Sequence, residues 1–330
     1  MTTADKLGER KIIGIIREAL SLPSMQIPFG DDVSGIKIGN NRVAILKIDM
    51  LVGKTDVPPT MNSWQLGRKA VVMNISDFAA KGVKPLVSLV ALGVPPTFLK
   101  RDLEQLAKGL NAGAQEYGAH IIGGDTGQAS SLVITCSLFG ISKANPLMLR
   151  SGARSGDIVA VTGLFGKTSA GLKLLLENIS APSATRKLFL NSVLMPRARL
   201  NEGLTLSRIG GVSASIDSSD GLAWSLYEIS RASGVGFVID NLPVAPEVLE
   251  FARHKSIDPV ELALYGGEEY ELVLTINQRS WPKASQAVKD IGGSLIRIGR
   301  VLDRTDMILH WEGRAIQIEP RGWEHFKSGR

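Results

Sequence analysis

Acidic residues that could bind a metal ion recur at the ends of apolar segments, most of them next to glycine. They are Asp31 and Asp32 in "FGDD", Asp49 in "LKIDML", Asp77 in "NISDFAAKG", Asp125 in "GGDTG", Asp217 and Asp220 in "SIDSSDGL", and Glu268 and Glu269 in "GGEEYEL". If several of these carboxylates converged, they would repel one another without cations, and Mg²⁺ prefers carboxylate, water and phosphate oxygens. The set therefore indicates a carboxylate-rich site for Mg²⁺ and phosphates, provided that the fold brings its members together.

Each of these segments also has a structural explanation when it is taken singly. "FGDD" can be a turn, Ser219 or Asp220 can cap a helix by accepting backbone N–H bonds, and "GGEEY" can lead into a strand. No cluster of histidine or cysteine accompanies the carboxylates, which argues against zinc. Cys136, in the apolar run "LVITCSLFGI", is interpreted as a buried structural thiol.

The stretch "VTGLFGKTSAGL" is similar to a phosphate-binding P-loop, which has the pattern G-x-x-x-x-G-K-[ST] between a strand and a helix. That pattern needs a glycine five residues before Gly166, and Val161 stands there. We therefore interpret the stretch as a strand-to-helix turn. Gly163 and Gly166 would allow close packing, and Thr168 or Ser169 would cap the helix.

The composition limits the class of protein. With 330 residues, 44% of them hydrophobic, the chain is long enough for two globular domains. The net charge of +6 is scattered, without a run of five basic residues and with only 5% aromatics, so no nucleic-acid partner is expected. No apolar run is long enough to span a membrane, and "MTTADKLGER" does not resemble a secretory signal. A cytoplasmic protein without a membrane partner is expected.

The elements that must position the acidic residues follow from hydrophobic periodicity. The first half predicts a helix over 4–20, strands at "VSGIKI" and "RVAILKID", and a helix over 62–81 capped by Asn62 or Ser63 and ended by Gly82. A buried strand "PLVSLVALGV", a helix over 97–117, and strands "AHIIGGD" and "SLVITCSLFGIS" follow. Asp77 lies inside a helix, three positions after Asn74, so both can face the same way.

The segment "KANPLMLRSGARSG" is rich in proline, glycine and basic residues. This change in composition predicts two domains, 1–146 and 147–330. The second half alternates five strands ("DIVAVTG", "SASID", "GVGFVID", "YELVLTI" and "GSLIRIGRV") with helices near 168–177, 198–208, 221–233 and 279–290. The fold class is therefore α+β, with a mixed α/β domain at the N-terminus and an α/β domain at the C-terminus.

In this order and spacing, the motifs "FGDD", "NISDFAAKGVKP", "GGDT", "LRSGARSGD", "VTGLFGKTSAGL", "IDSSDGL" and "GGEEYEL" resemble those of the thiamine-monophosphate kinase family. The resemblance extends to "RGWEHF" near the end of the chain. It implies an enzyme that makes thiamine diphosphate from thiamine monophosphate with ATP and several Mg²⁺ ions. It also implies a homodimer whose N-terminal sheets join across the interface. ATP would lie in a cleft there, with the C-terminal domain as the other wall.

The resemblance further implies roles for individual residues, by motif position. The magnesium ligands would be Asp32, Asp49, Asp77, Asp125, Asp217 and Asp220; the ATP contacts Gly124, Asp125, Arg150 and Ser219; and the thiamine contacts Glu268 and Trp323. Asp49, Asp77 and Asp125 are the candidate catalytic residues. Phosphoryl transfer depends mostly on positioning and charge neutralisation, so we expect direct in-line transfer without a phospho-enzyme.

The chain departs from the family pattern at two places. Lys47 and Ile48 stand where the family usually has hydroxyl residues that help to hold metal. Lys47 either contributes its own charge in place of one ion or faces outward from a strand edge. Asp56 stands where a histidine usually contacts the substrate, and it could accept a hydrogen bond from an aminopyrimidine or bind another metal.

Other functions are open at this stage. Selenophosphate synthetase and the hydrogenase-maturation carbamoyl dehydratase, of the same superfamily, would need cysteines that "MTTADKLGER" and "HFKSGR" lack. The aminoimidazole-ribonucleotide synthetase does not share the arrangement of "GDD" and "GGDT". A kinase of this fold could act on another small phosphate or alcohol. A nucleotide-binding regulatory protein without turnover is a further alternative, although it would have no physical need for so many carboxylates.

Overall fold

A five-stranded sheet forms the first half of the chain in the computed structural model, which describes residues 2–145 and 147–326. Its strands are β1 (Ser34–Lys37), β2 (Arg42–Val52), β3 (Pro85–Val94), β4 (His120–Gln128) and β5 (Val133–Lys143), in the order β1-β2-β5-β3-β4. Only β3 and β4 run parallel to each other among these neighbours. Helices α3 (Ser63–Lys81) and α4 (Lys100–Glu116) pack together, and α3 contacts β2 and β5.

Alternation along the strands gives this sheet one covered face and one open face. In β2, Val43 and Ile45 are buried with α3 in the core, whereas Leu46, Ile48 and Met50 are exposed on the other face. The predicted helix over 62–81 is confirmed: Asn62 and Gln65 form a capping box, and Gly82 ends the helix with a φ of 64°.

The N-terminal helix differs from its prediction. The sequence predicts one helix over 4–20, but Gly8, with a φ of 74°, separates α1 (Ala4–Leu7) from α2 (Glu9–Ala19). No residue of α2 is buried. It is attached to the rest of the chain through Arg10, which pairs with Glu228 and lies 3.7 Å from the centroid of the Trp224 ring.

A seven-stranded sheet forms the second half. Its strands are β6 (Ile158–Val161), β7 (Val212–Asp217), β8 (Gly236–Ile239), β9 (Leu272–Ile276), β10 (Ile296–Leu302), β11 (Met307–Trp311) and β12 (Arg314–Gln317), in the order β12-β11-β8-β10-β6-β9-β7. The helices are α5 (Lys167–Leu176), α6 (Ser183–Leu194), α7 (Leu200–Ile209), α8 (Leu222–Ser233), α9 (Pro246–Lys255), α10 (Pro259–Leu264) and α11 (Trp281–Asp290). The mixed α/β class is confirmed, although α6, α9, α10, β11 and β12 are absent from the sequence prediction.

Helix α3 joins the two halves because it also packs on α7 and β7. One hydrophobic core accordingly combines residues of the first sheet with Leu206, Leu272 and Leu274 of the second half. Gly203 of α7 approaches so closely that an added Cβ would lie 2.0 Å from the Ala79 oxygen. No helix in the described part of the chain is long and apolar enough to cross a membrane.

The turn before α5 has the predicted shape but not the predicted cap. A Cβ on Gly163 would lie 2.4 Å from the Glu271 carboxylate, so close packing requires glycine there. The helix begins after Gly166, and neither Thr168 nor Ser169 caps it. Instead, the Glu269 carboxylate accepts the N–H of Gly166 at 2.7 Å and that of Thr168 at 3.2 Å. A carboxylate from a distant loop therefore fills this helix N-terminus.

Candidate active site

A cleft of about 680 Å³ lies between the two halves of the molecule. Among the residues predicted to be functional, its wall includes Asp49, Asp77, Arg150, Asp217, Ser219, Asp220 and Trp323. Helix α2 adds Glu9, Arg10 and Arg17 to the wall. Residues from the first sheet, from α3 and from the second sheet thus meet in one place.

Three aspartates from three separate segments converge beside the cleft. Carboxylate oxygens of Asp32, Asp77 and Asp217 all lie within 4.8 Å of one another, and all three residues are buried. Asp32 is in the turn before β1, Asp77 is on α3, and Asp217 ends β7. Ser76 donates a hydrogen bond of 2.7 Å to Asp217 Oδ2. We call Asp31, Asp32, Asp49, Asp77, Asp217 and Asp220 the acidic cluster.

The electrostatics of this cluster differ from one carboxyl to the next. Burial raises the pKa of Asp217 to about 6, and the nearby Asp32 charge adds to the effect. Burial also raises the pKa of Asp77 well above its usual range, reinforced by Asp217 and Asp49 and opposed by Lys47. Burial and Glu9 raise the pKa of Asp220 to about 7. Burial therefore favours the protonated form of all three carboxyl groups.

Asp31 and Asp32, by contrast, are already neutralised by the chain. Lys81 Nζ, which is completely buried, lies 2.6 Å from Asp31 Oδ1 and 2.8 Å from Asp32 Oδ2. Arg150 Nε donates to Asp32 Oδ1 at 2.7 Å, and its backbone N–H donates to Asp31 Oδ2 at 3.0 Å. Burial alone would raise the pKa of Asp32, but Arg150 and Lys81 outweigh it, so the pKa is lowered.

Lys47 points into the site and not outward from the strand edge. Its Nζ lies 2.9 Å from Asp49 Oδ1 and 3.0 Å from Asp77 Oδ2. Lys47 and Asp49 share one face of β2 because they alternate with Ile48, which is 64% exposed. Burial disfavours the ammonium, but the charges of Asp49 and Asp77 outweigh it and raise the pKa of Lys47.

Two of the residues predicted to contact the substrate, Asp56 and Glu268, both contact Lys69. The Lys69 ammonium is buried, 2.5 Å from Glu268 Oε1 and 3.0 Å from the backbone oxygen of Asp56. Glu268 has a φ of 61°, and its N–H donates to the Ser219 oxygen. The backbone N–H of Trp323 donates to the backbone oxygen of Asp220 at 3.1 Å, which attaches the segment around Trp323 to the "SSDG" turn. Neither Ser219 nor Asp220 caps α8, whose N-cap is Gly221.

The Asp56 side chain has a local role in the backbone. Its Oδ2 accepts the N–H of Val52 at 2.7 Å, which stabilises the turn after β2. The single cysteine also matches its interpretation: Cys136 is buried on β5 opposite Asp49, and burial raises the pKa of its thiol to about 12.

Gly124 and Asp125 lie away from the acidic cluster of their own chain. They belong to β4, an edge strand, where Gly124 pairs with the buried Val90 and Asp125 with the exposed Ala91. Asp125 thus faces the open side of the sheet, whereas Asp49 faces the covered side. Three strand spacings, roughly 14 Å, separate β2 from β4 in this sheet.

Two buried lysines of the site, Lys69 and Lys81, were missed from the sequence. The signal that could have revealed them is their position in α3, which is almost entirely buried. A lysine in such a helix must bury its ammonium, and a buried ammonium needs carboxylate partners. The partners could not be named because they come from distant segments, Asp31 and Asp32 for Lys81 and Glu268 for Lys69.

The cluster fits Mg²⁺ by its donor chemistry. The donors of Asp32, Asp77 and Asp217 are all oxygens, at a spacing that one or more small cations could bridge. An ammonium already stands between Asp49 and Asp77, which confirms that the geometry accommodates a cation at this point. Asp49 and Asp220 line the same cleft and could complete the ligand set.

Comparison with known proteins agrees with the fold. Residues 30–142 match the model of the N-terminal domain of AIR synthase related proteins. More narrowly, the chain belongs to the thiamine-monophosphate kinase family. It is 37% identical over 326 residues to the thiamine-monophosphate kinase of Pyrococcus horikoshii, covering 98% of each chain.

Two further relatives extend this result. The thiamine-monophosphate kinase of Nitrosopumilus maritimus is 34% identical over 322 residues, which cover 98% of this chain and 99% of the relative. The solved structure of AaThiL complexed with AMPPCP and TMP superposes with a TM-score of 0.86 at 26% identity. The match covers 98% of this chain and 99% of the AaThiL chain.

Proposed function

We propose that this protein transfers a phosphoryl group from ATP to thiamine monophosphate, with Mg²⁺, to give thiamine diphosphate. The observation that carries the proposal is the convergence of Asp32, Asp77 and Asp217 within 4.8 Å beside a cleft between the two halves. A cluster of this kind suits the binding of cations that accompany phosphates. The ligands named for AaThiL, an ATP analogue and TMP, support the same pair of substrates here.

Asp32, Asp49, Asp77, Asp217 and Asp220 would hold the magnesium ions. Bound Mg²⁺ would neutralise the phosphates of ATP and of the acceptor, which otherwise repel each other. Arg150 presents a fixed guanidinium to the cleft, held by Asp32 and by the Gly30 oxygen. Since the acceptor is already an anionic phosphate, no general base is required, and we propose direct in-line transfer.

We propose that the acceptor's thiamine moiety lies between Trp323 and the loop that carries Glu268. Trp323 lines the cleft and is 53% exposed, so its ring is free to contact an aromatic ligand. Lys69 holds the Glu268 carboxylate from behind, and the same ammonium holds the Asp56 backbone. Asp56 would act in substrate binding mainly by shaping the turn after β2, through its bond to Val52.

We further propose that residues 1–146 form an ATP- and Mg²⁺-binding domain that dimerises, and that residues 147–330 complete the site. The open face of the five-stranded sheet supports this proposal, because Leu46, Ile48, Met50 and Leu89 are all at least 45% exposed on that face. Leu89→Glu should shift the protein from dimer to monomer in light-scattering measurements. Leu176→Glu, at a leucine outside this sheet that is 62% exposed against 51% for Leu89, is the matched control.

Dimerisation would also give Gly124 and Asp125 a role. Because Asp125 faces the open side of the sheet, we propose that it contributes to the site of the partner subunit, next to ATP. Asp77→Asn and Asp125→Asn should each inactivate the enzyme. A mixture of the two refolded variants should recover about a quarter of the activity, because half of the dimers would then carry one intact site. No recovery would show that both residues serve the same chain.

The direct test of the proposed function is an assay of the purified protein with ATP, Mg²⁺ and thiamine monophosphate, with thiamine alone in parallel. Thiamine diphosphate formed from the monophosphate is the expected product. Phosphorylation of another small phosphate or alcohol instead would change the acceptor, and ATP binding without turnover would indicate a regulatory protein. Trapping a covalently phosphorylated chain during turnover would exclude direct transfer.

A further inference from the structure

The ammonium of Lys47 occupies a cation position inside the acidic cluster. It bridges Asp49 and Asp77, at 2.9 Å and 3.0 Å, and the side chain of Lys47 is only 19% exposed. The backbone explains the placement, since Lys47 lies two residues before Asp49 on the covered face of β2 and opposite α3, which carries Asp77. A lysine on the exposed face could not reach either carboxylate.

Lys47 has no substitute in this part of the cluster. Lys81 and Arg150 are both engaged with Asp31 and Asp32. In the described ranges, 2–145 and 147–326, Lys47 is the only lysine or arginine that forms an ion pair with Asp49 or Asp77, and none pairs with Asp217 or Asp220. Removing its charge would leave four neighbouring carboxylates with no cation from the chain.

We propose that Lys47 is a tethered cation that takes the place of one divalent ion, so that this chain binds one ion fewer than its carboxylates would otherwise hold. The inference rests on the proposed function, in that it assumes that the acidic cluster binds divalent cations. An ammonium keeps the carboxylate oxygens about 2.9 Å away and donates hydrogen bonds, whereas Mg²⁺ would bind them directly at about 2.1 Å. Lys47 therefore acts as a positioning residue that spaces Asp49 and Asp77 whatever the free Mg²⁺ concentration.

The test compares the number of Mn²⁺ ions bound by the wild-type protein, Lys47→Met and Lys47→Arg, with free Mn²⁺ measured by electron paramagnetic resonance. Methionine keeps much of the length and apolar stem of lysine without the charge, and arginine keeps the charge. We expect Lys47→Met to bind one more Mn²⁺ per chain than the wild type, and Lys47→Arg to bind the same number as the wild type. Lys173→Met, which removes an exposed ion pair with Glu177, should leave the number unchanged.

The location of the additional ion completes the test. In crystals of Lys47→Met soaked with Mn²⁺, anomalous scattering should show a peak between Asp49 and Asp77. An equal number of ions with equal affinities in Lys47→Met and the wild type, or an additional ion elsewhere, would overturn the inference. If Lys47→Met folds only with Mn²⁺ present, Lys47→Gln provides a second neutral variant, and a Mn²⁺-dependent rise in melting temperature larger than that of the wild type supports the inference.

The same measurements distinguish a failure of this inference from a failure of the proposed function. The wild-type protein alone decides whether the cluster binds divalent ions and whether thiamine diphosphate is formed. The difference between Lys47→Met and the wild type decides whether Lys47 excludes an ion. A wild type without bound Mn²⁺ would remove the magnesium site from the proposed function, while an ion gained by Lys47→Met would still support the role of Lys47.

Discussion

The two ends of the acidic cluster are built from the same residue type but in opposite electrostatic states. At one end, Lys81 and Arg150 neutralise Asp31 and Asp32, and the pKa of Asp32 is lowered. At the other end, the pKa values of Asp77, Asp217 and Asp220 are raised, chiefly by burial. The first end is neutralised by cations of the chain itself, whereas the second has an excess of negative charge that protonation or added cations would relieve.

The two ends therefore have different roles: one stabilises the fold and the other faces the cleft. Lys81 belongs to α3 in the first half of the chain, and its ammonium also donates to the Ser215 oxygen of β7 in the second half. The neutralised end therefore ties the two sheets together around the cleft. The cation-poor end faces that cleft, where phosphates would arrive with their metal ions. Four predictions test this division, beginning with the largest expected effect.

The first prediction breaks the neutralised end. Lys81→Met should lower the free energy of unfolding by about 3–5 kcal/mol, because it leaves Asp31 and Asp32 buried beside Arg150 alone. Urea denaturation in the presence of EDTA measures the change. Lys173→Met, at an exposed ion pair, should cost less than about 1 kcal/mol. A similar small cost for Lys81→Met would show that the pairs do not hold the sheets together.

The second prediction breaks the cation-poor end. Asp77→Asn should reduce kcat for thiamine diphosphate formation by about 100-fold or more, because a metal-binding carboxylate is lost. Stability in EDTA should not fall, because the raised pKa shows that the site disfavours a charged Asp77. The pair of variants thus separates folding from turnover. A stability loss in Asp77→Asn as large as that in Lys81→Met would show that both ends of the cluster stabilise the fold.

The helices and strands that carry the site were easier to predict from the sequence than the side-chain contacts within it. Helix α3 was predictable because Asn62, Gln65 and Gly82 carry local signals for its two ends. Helix α10 was missed because it has only six residues. Short elements depend more on tertiary packing than on their own periodicity.

The same limit applies to the site itself. The glycine-flanked carboxylates could be found from the sequence, but their convergence depends on packing between segments more than 100 residues apart. Whether Lys47 faces inward depends on the face of β2 that α3 covers. Asp125 shows the reverse case, because its motif predicts a metal ligand while its strand register places it on the open face. Register follows from pairing partners that a single sequence does not reveal.

The third prediction concerns how pH changes stability and Mg²⁺ binding. The pKa values of Asp217 and Asp220 rise to about 6 and about 7, well above the usual 3.8, so these carboxyls are partly protonated near neutral pH. Without metal, their contribution to stability is lost as pH rises through this range, because the unfolded chain releases these protons first. Mg²⁺ binding needs the ionised form, so its affinity should fall about tenfold per pH unit for each proton displaced.

Melting temperatures with and without Mg²⁺ from pH 8 to pH 5.5 measure this effect. The rise in melting temperature caused by Mg²⁺ should shrink steadily as the pH falls. Asp220→Asn should flatten the profile near pH 7, since the group responsible for that part is removed. A constant rise across the range would mean that the carboxyls at this end are fully ionised, like Asp32 at the other end.

The fourth and smallest effect is expected at Lys167, which the sequence places where a P-loop lysine would stand. The N-terminus of α5 is already filled by the Glu269 carboxylate, which accepts the Gly166 and Thr168 N–H groups, so this turn offers no vacant position for a phosphate. Lys167→Ala should therefore change kcat by less than about threefold, whereas a true P-loop lysine would be close to indispensable. Steady-state kinetics alongside Asp77→Asn provide the measurement. A loss at Lys167 comparable to that of Asp77→Asn would move the triphosphate from the cation-poor end of the cluster to the turn before α5.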